Sequence, residues 1–560
     1  MGAVGRSSHH PGGPNSDRLN TAMTILEAPP ATLTRADAVR FLQRATFGGT
    51  PAEVNRLLSI GIDTWFSEQF ARNPSRTHHR RRLDELEFDK SIWQSYLSDP
   101  DQLRKRVAYA LSQILVVSNQ DLGDRDVAVY ADLLEANCFG TYRDLLEAVT
   151  RSVAMGRYLT YERNRRANEN RGTVPDENYA REIMQLFSIG LWQLNRNGTR
   201  RLDGAGQPIP SYDTDDILGL ARVFTGFEAP AINDIPNRYS LPMVSDGDFA
   251  DQQHERGEKR FLGTTIPASD TRTLDESLAI ALDTLAAHPN VGPFISHQLI
   301  QRLVTSNPSA GYVRRVADVF TDDGAGVRGN LAAVVRAILD DDEAWRQNPP
   351  QASGKIREPV LRFTVAARAL RVSNSRAPWI INGLGDAATE LGQQPFVANS
   401  VFNFYRPGYV PPQSPLGDRD LTAPEMQIAN ETTAIGWINF IARFLRRPPT
   451  RIFNRDEPNE YRVEVEFDVD DLIALIDTKT VSTADARALV DELAARLCPQ
   501  ALSASTREVV VRRVTQIYDD GYDPDRTEDY HVRRRNNVHL DRVMGAAAMI
   551  LASTDFLWER

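Results

Sequence analysis

The chain has 560 residues but only two cysteines, Cys138 and Cys498, which lie far apart in the sequence. So few cysteines exclude a disulfide framework and a thiolate-rich metal site, although a single bridge between the two remains open. The sequence also lacks a run of about 18 apolar residues, which excludes a membrane-spanning helix. Basic residues are not in excess, since the formal net charge is −10. The composition therefore argues against a nucleic-acid-binding protein, which usually carries a basic face.

Several catalytic and metal-binding signatures are absent as well. The sequence contains no G-x-S-x-G, no H-E-x-x-H, no G-x-x-x-x-G-K-[ST] and no G-x-G-x-x-G after a strand. Serine hydrolases with a nucleophile elbow, zincins, phosphate-loop hydrolases and Rossmann dehydrogenases are therefore unsupported. The acid-rich stretches "YDTDD" and "YDDGYDPDRTED" lack the ligand spacing of an EF-hand loop. The sequence indicates neither a metal site nor a cofactor.

Helical periodicity recurs along almost the whole chain. Thr34 with Asp37 and Thr50 with Glu53 form two capping-box patterns, and Pro51 suits a first helical position. Alternation is clear only over residues 461–469, while "KRFLGTTIP" suits a short hairpin. The predicted fold class is mainly α, a large irregular multi-helix body with long ordered loops and at most a small β-hairpin element.

Composition divides the chain into three parts. Residues 1–33 are rich in Gly, Pro, Ser and Asn and lack the apolar core of a secretory signal, so they predict a disordered tail and a cytoplasmic chain as written. Residues 34–410 form a predicted helical core, and residues 411–560 a C-terminal helical part packed on it within the same domain. Irregular segments of this length in compact proteins tend to be lids or binding loops, and here they cover residues 195–216, 228–259 and 395–425.

The stretch "PDENYAREIMQLFSIG", residues 175–190, concentrates charge on one predicted helix over residues 175–194. Its helical spacing places Tyr179 and Ile183 on a core face, and charged side chains on the opposite face. Trp192 would fall in the charged sector, which suggests that this face is covered. Two interpretations stay open, a solvated face with an exposed ion pair or a buried functional network.

Two further stretches carry charged groups with chemical potential. "HERGEKRFLG" contains His254 and Lys259 in the second long segment, and "GKIREPVLRF" contains Lys355 and Glu358 ahead of an apolar helix. Each group is also compatible with a structural role, because a histidine beside an acid or a glutamate at a helix start often serves the fold.

These stretches, in this order, resemble the bacterial family known as domain of unknown function 1800. Its hallmark is similar to "DENYAREIMQLFSIG", although Asp176 stands where the family usually has Asn, and Glu255 replaces a usual Asp. The resemblance runs from about residue 34 to residue 560. It implies a largely helical protein, export for many members, and a partner from the neighbouring 1501 family. It implies no established reaction.

Two functions are compatible with these residues. The first is a hydrolase acting on an envelope polymer or glycan, with catalytic and binding groups drawn from the three stretches. The predicted catalytic residues are Glu177, Glu182 and His254, and the predicted binding residues are Asn178, Arg181, Lys259, Lys355 and Glu358. Because the two glutamates diverge by about 140° on a helix, a further acid such as Asp216 or Glu358 would be needed. The alternative is a non-catalytic structural or partner-binding protein whose motif charges form a buried ion network.

Overall fold

The computed structural model describes most of the chain. The described residues are 33–84, 86–168, 170, 172–230, 241–345, 354–374, 384–386, 390–445, 450–452, 463–476, 481–517 and 528–559. The predicted disordered tail over residues 1–33 lies outside this set except for Leu33.

Side-chain caps define the first helices as predicted. Helices α1 (Arg35–Ala45) and α2 (Pro51–Ala71) begin after Thr34 and Thr50, and both capping boxes are present. The hydroxyl of Thr34 accepts from the backbone N–H of Asp37, whose carboxylate accepts from the N–H of Thr34, so two N-terminal donors are satisfied. The next helices are α3 (His78–Leu83), α4 (Phe88–Ser98), α5 (Gln102–Ser112), α6 (Asp124–Asn137), α7 (Tyr142–Thr150) and α8 (Val153–Tyr158).

Helices continue to the end of the chain, which confirms the mainly α fold class. The middle of the chain forms α9 (Asn178–Gln185), α10 (Thr214–Ala221), α11 (Asp248–Gln253), α12 (Leu274–Ala287), α13 (Val291–Leu303), α14 (Ala310–Thr321), α15 (Leu331–Leu339), α16 (Asp342–Trp345) and α17 (Pro359–Ala369). The remainder forms α18 (Glu431–Phe444), α19 (Asp470–Ile473), α20 (Thr483–Leu497), α21 (Ala504–Gln516), α22 (Glu528–Leu551) and α23 (Thr554–Leu557), with short 3₁₀ turns at Gly417–Arg419, Pro424–Gln427 and Ala474–Ile476. Within the described residues, no helix is long and apolar enough to cross a membrane.

The strands are short and antiparallel. The predicted hairpin is present as β1 (Lys259–Phe261) and β2 (Thr264–Ile266). The predicted alternating strand is β6 (Val463–Phe467), which lies between β4 (Val372–Asn374) and β5 (Thr450–Ile452). A further pair joins β3 (Lys355–Ile356) to β7 (Trp558–Glu559) and so ties the middle of the chain to its last described residues.

A continuous apolar core connects the first helices with the last ones. Helix α20 packs against α1 and α17, and α22 packs against α18. Arg357, which is 1% exposed, donates from Nη1 to the carbonyl oxygen of Phe556 at 2.6 Å and lies over its ring at 4.5 Å. The C-terminal segment is therefore held by a buried cation as well as by apolar contacts. The proposed division near residue 410 stays a prediction.

The hallmark helix is shorter than the predicted span of residues 175–194. Helix α9 begins at Asn178, whose N–H donates to Oδ1 of Asp176 at 2.8 Å, and it ends at Gln185. Gly190 has a φ of 72°, and a Cβ there would lie 2.7 Å from the ring of Phe294. This tertiary contact requires a left-handed glycine and stops the helical path.

Three short chain segments joined by backbone hydrogen bonds follow α9, in place of the predicted end of the helix. The N–H of Gln193 donates to the carbonyl of Ile209, that of Ile209 donates to Arg201, and that of Arg201 donates to Gln193. These donor–acceptor distances are 2.8, 3.1 and 2.7 Å, so three short hairpin arms are closed into one unit. Trp192 belongs to this unit and is partly exposed.

We expect Gly219→Ala to destabilise the protein, because α10 lies so close to β1 that an added Cβ would meet the carbonyl oxygen of Arg260 at 1.6 Å. Overpacking of this kind costs about 1–3 kcal/mol or more. Denaturant unfolding should show the loss. The matched control is Gly204→Ala, since a Cβ at Gly204 meets nothing within 4 Å. Equal stability of the two variants would contradict the packing described.

Candidate functional site

The charges at the start of the hallmark helix form an exposed pair. Glu177 accepts a hydrogen bond from Arg181, and their side chains are 40% and 41% exposed. Trp192 lies outside α9 and beside Arg200, whose guanidinium is 5.9 Å from the indole. An exposed pair of this type contributes little to stability. Glu177 and Arg181 thus form a solvent-exposed ion pair, and their catalytic and binding roles stay predictions.

Glu182 is different from its neighbours on α9. It is 8% exposed, and its Oε2 is buried without a hydrogen-bond partner among the described residues. Burial raises the pKa of the Glu182 carboxyl, although the charge of Arg181 opposes the effect. The same burial argument applies to Tyr212, whose pKa is raised by desolvation and by the charge of Glu182. Glu182 is thus a carboxyl group that resists ionisation.

His254 is held inside the protein by two polar contacts. It is 1% exposed, its Nδ1 donates to the carbonyl oxygen of Thr225 at 2.9 Å, and its Nε2 lies 3.1 Å from the hydroxyl of Ser277. Burial lowers the pKa of His254 to about 4. The ring is therefore neutral at neutral pH, and both nitrogens are used by the fold.

Lys259 closes the loop that begins at His254. Its ammonium donates to the carbonyl oxygens of Glu255 at 2.6 Å and Gly257 at 3.4 Å, and the residue is 2% exposed. Burial lowers the pKa of Lys259 to about 8. The carboxylate of Glu255 accepts from the N–H of Gly257 at 2.8 Å and, on its other side, from Ala167. The loop thus satisfies its own charges.

Lys355 lies in a second buried polar cluster. It is 1% exposed and donates to the carbonyl oxygens of Gln301 at 3.1 Å and Arg302 at 2.8 Å. Its Nζ is 3.2 Å from a carboxylate oxygen of Glu425, which is 2% exposed. Burial raises the pKa of Glu425, and the cation of Lys355 opposes that increase. The cluster is a buried ion pair with satisfied donors.

Glu358 connects this cluster with the third long segment. Its Oε2 accepts from Nε2 of Gln113 at 2.8 Å, Nε2 of Gln393 at 2.7 Å and the hydroxyl of Tyr405 at 2.7 Å. Glu358 is 1% exposed, and its Oε1 has no hydrogen-bond partner among the described residues. The side chain thus binds residues from three parts of the chain, including a tyrosine of the loop after residue 395.

Among the described residues, no hydrogen bond or ion pair joins the predicted site residues of α9 to His254, Lys259, Lys355 or Glu358. Asp216, the acid expected to complement the hallmark helix, is also engaged: its Oδ1 accepts from Leu262 at 2.6 Å and its Oδ2 from Asp213 at 3.0 Å. His254 contacts Thr225 and Ser277, and Lys259 donates to Glu255 within its own loop. The catalytic roles of Glu177, Glu182 and His254 stay predictions.

Two open clefts lie along the third long segment. The first has a volume of about 450 Å³, and the second about 660 Å³. Asn399 and Ser400, both exposed, line both clefts, so the clefts adjoin. Asn178 lines the second cleft and is the predicted binding residue that meets it. We use the name amide groove for the two adjoining clefts.

The wall of the amide groove is a fixed loop. Phe396 and Asn403 have φ values of 59° and 61°, a left-handed conformation that is costly for residues other than glycine. The carbonyl of Phe396 accepts from Asn119 at 2.7 Å, and the N–H of Arg406 donates to Oε1 of Gln427 at 2.8 Å. Together with Tyr405 on Glu358, these contacts hold the loop in place.

The sequence pointed to the segment that contains the groove, but the side chains that line the groove were not among the predicted site residues. Long loop length and aromatic content pointed to residues 395–425, whereas a search for charged groups passes over neutral amides. The missed lining residues of the first cleft include Gln394, Asn399, Asn403, Gln427 and Asn430. A cluster of Asn and Gln in one aromatic loop was the available signal.

A group that could hold a metal ion lies elsewhere. His78, Asp132 and Glu135 place one ligand atom each within 4.8 Å of one another. However, Lys105 lies 2.5 Å from Oε2 of Glu135, and Asp132 accepts the backbone N–H groups of His78 and His79. Although burial alone would raise it, the charges of His78 and Lys105 lower the pKa of Glu135 to about 2. The ammonium of Lys105 thus supplies the positive charge there.

A comparison with known families covers nearly the whole chain. The family model described as protein of unknown function DUF1800 matches residues 40–558. No curated protein and no solved structure is significantly similar to the chain. The function therefore has to be argued from the geometry above.

We expect His254→Gln to remove an acid-sensitive part of the stability. The unfolded chain protonates this histidine near pH 6.5, and the folded chain only near pH 4. The unfolded state therefore binds more protons between these values, and stability present above pH 6.5 is lost as the pH falls to 4. The difference corresponds to about 3 kcal/mol. Unfolding free energies of the wild type and the variant should converge by that amount from pH 7 to pH 4, whereas a constant difference would contradict the buried neutral ring.

We expect Lys355→Met to cost about 3–5 kcal/mol, because Glu425 would lose its cation while remaining buried. Denaturant unfolding measures the loss. The matched variant is the double substitution Lys355→Met and Glu425→Gln, which removes both charges. It should recover more than half of the lost stability, and an additive effect of the two substitutions would show that the pair does not interact.

Proposed function

Since the chain belongs to the family described as protein of unknown function DUF1800, we propose from its geometry that it is a non-catalytic binding protein. It would hold an extended polar ligand in the amide groove, while the charged motif residues serve the fold. The observation that carries the proposal is the division between these two groups. Lys259, Lys355 and Glu358 bind protein atoms, whereas the open groove presents mainly neutral side chains.

Hydrolysis would need an acid and a base beside the ligand, within hydrogen-bond reach of the reacting atoms. Among the described residues that line the first cleft, there is neither a carboxylate nor a histidine. The second cleft contains Asp121 and Asp126, and Asp126 is bound to Arg157 at 2.8 Å. These features support binding over bond cleavage.

The dimensions and the fixed wall of the groove also support binding. Its two clefts measure about 450 and 660 Å³ and adjoin at Asn399 and Ser400, which suits a ligand longer than a single small molecule. The loop is anchored through Tyr405 and Gln427, so little conformational entropy is lost when a ligand binds. A preorganised site of this kind fits a recognition protein.

A hydrolase acting on an envelope polymer or glycan is the second candidate. The observation that favours it is Glu182, a buried carboxyl with a raised pKa and an unpartnered oxygen among the described residues. Such a group suits a general acid. Glu182 does not line either cleft of the amide groove, so the binding function is the better supported one.

We expect Ser400→Trp to block the groove, because Ser400 is exposed and lines both clefts. Co-sedimentation with an insoluble bacterial envelope fraction should fall by about tenfold or more relative to the wild type. The matched control is Ser67→Trp on the exposed side of α2, which should co-sediment normally. The sedimented material should be recovered chemically unchanged.

Two results would contradict the proposal. Normal co-sedimentation of the folded Ser400→Trp variant would show that the ligand does not occupy the groove. Release of soluble fragments by the wild type, abolished in a folded Glu182→Gln variant, would establish the hydrolase instead. Chromatography of the supernatant distinguishes the two candidate functions directly.

A further inference from the structure

We infer that the ligand of the amide groove is a neutral, hydroxyl-rich saccharide chain. This inference rests on the proposed binding function and adds the chemical class of the ligand. It follows from the side chains in the first cleft, the unpartnered amide nitrogen of Asn403 and the balance of charge along the groove.

The lining of the first cleft is dominated by primary amides. A carboxamide both donates and accepts hydrogen bonds, as each sugar hydroxyl does, so the two groups are complementary. The fold uses only part of this capacity: Gln427 accepts through Oε1 from Arg406, and Asn430 accepts through Oδ1 from Thr433. The hydrogen bonds that these two side chains make within the described residues thus use their oxygen atoms. The amide residues of the lining are Gln120, Gln394, Asn399, Asn403, Gln427 and Asn430.

Aromatic rings share the same lining. Phe402 and Phe404 are half-buried there, and Arg406 lies over the ring of Phe402 at 4.7 Å. A pyranose ring presents polarised C–H bonds on its faces and hydroxyls at its edge. The electron-rich face of an aromatic ring suits the C–H bonds, and amides suit the hydroxyls. The cleft combines both contacts.

Asn403 supplies the most specific donor. Its Nδ2 is buried without a hydrogen-bond partner among the described residues, which is unfavourable unless a ligand or a bound water accepts from it. Asn403 also lines a small inner cavity behind the first cleft, next to Gln113 and Gln393.

Charge in the groove disfavours an anionic polymer. Arg406 is the cation among the described residues of the first cleft, and the second cleft sets Asp121 and Asp126 against Arg157. The chain as a whole has a formal charge of −10. Polyanions are usually recruited by clusters of Lys and Arg, so these charges favour a neutral ligand.

The test uses purified full-length protein and four defined probes in titration calorimetry. Cellohexaose and chitohexaose are the neutral saccharides, hexagalacturonate is the anionic saccharide, and a neutral hydrophilic hexapeptide is the peptide probe. We expect binding of at least one neutral hexasaccharide and weaker binding of the other two probes. Asn403→Gly should weaken that binding by about five- to tenfold, since glycine accepts the backbone and removes only the amide.

The matched control is Gln413→Gly, which makes the same type of change at a φ of 52° in the same loop, outside the groove lining. It should bind as the wild type does. Asn403→Asp is the second variant, because it keeps the side-chain shape and replaces the donor by an acceptor. It should weaken binding at least as much as Asn403→Gly.

Three outcomes would overturn the inference. These are preference for the hexapeptide or hexagalacturonate, no binding of either neutral hexasaccharide, and equal saccharide affinity in the wild type and both Asn403 variants. The proposed binding function would stand in each case if Ser400→Trp still abolishes envelope co-sedimentation. Failure of the proposed function itself requires normal co-sedimentation of Ser400→Trp, so the two failures are distinguishable.

Discussion

The carboxylate of Glu358 has to be satisfied inside the protein, and this constraint connects the fold to the groove. A buried charge is stable only when hydrogen bonds replace water. Three donors, from Gln113, Gln393 and Tyr405, meet at one of its oxygens. Gln113 lies directly after α5, Gln393 lies in the segment before the groove loop, and Tyr405 belongs to the loop itself. The loop is therefore held by a buried side chain that lines neither cleft of the groove.

Buried charged side chains and the neutral side chains of the groove make different kinds of contact. Buried charged groups such as Lys259 and Lys355 donate hydrogen bonds to backbone carbonyl oxygens, and these bonds hold loops or strand ends in place. Neutral amides and aromatic rings remain available at the surface of the groove. The charged motif residues described above thus support the architecture, and the surface that we propose for ligand binding lies beside them on the groove loop. A partner from the 1501 family stays a prediction.

Sequence reasoning succeeded where local interactions decide the structure. The capping boxes at Thr34 and Thr50, the β1–β2 hairpin and the mainly α class depend on nearest neighbours or on periodicity. Sequence reasoning failed where contacts between residues far apart in the chain decide the structure. The predicted helix does not run through Gly190, which has a left-handed φ and lies close to Phe294, a residue about a hundred positions away in the chain. Likewise, no periodic pattern shows that Glu358 contacts Tyr405 or that Asn399 and Asn178 line one cleft.

The buried carboxylate of Glu358 positions the loop that forms the wall of the amide groove. Hydrogen–deuterium exchange of the Glu358→Gln variant tests it most directly, with the exposed Glu177→Gln as control. The account predicts faster exchange across residues 395–409 in Glu358→Gln, unchanged exchange over α9, and no change in that loop for the control. Exchange in the loop that stays at the wild-type rate in Glu358→Gln would contradict the account.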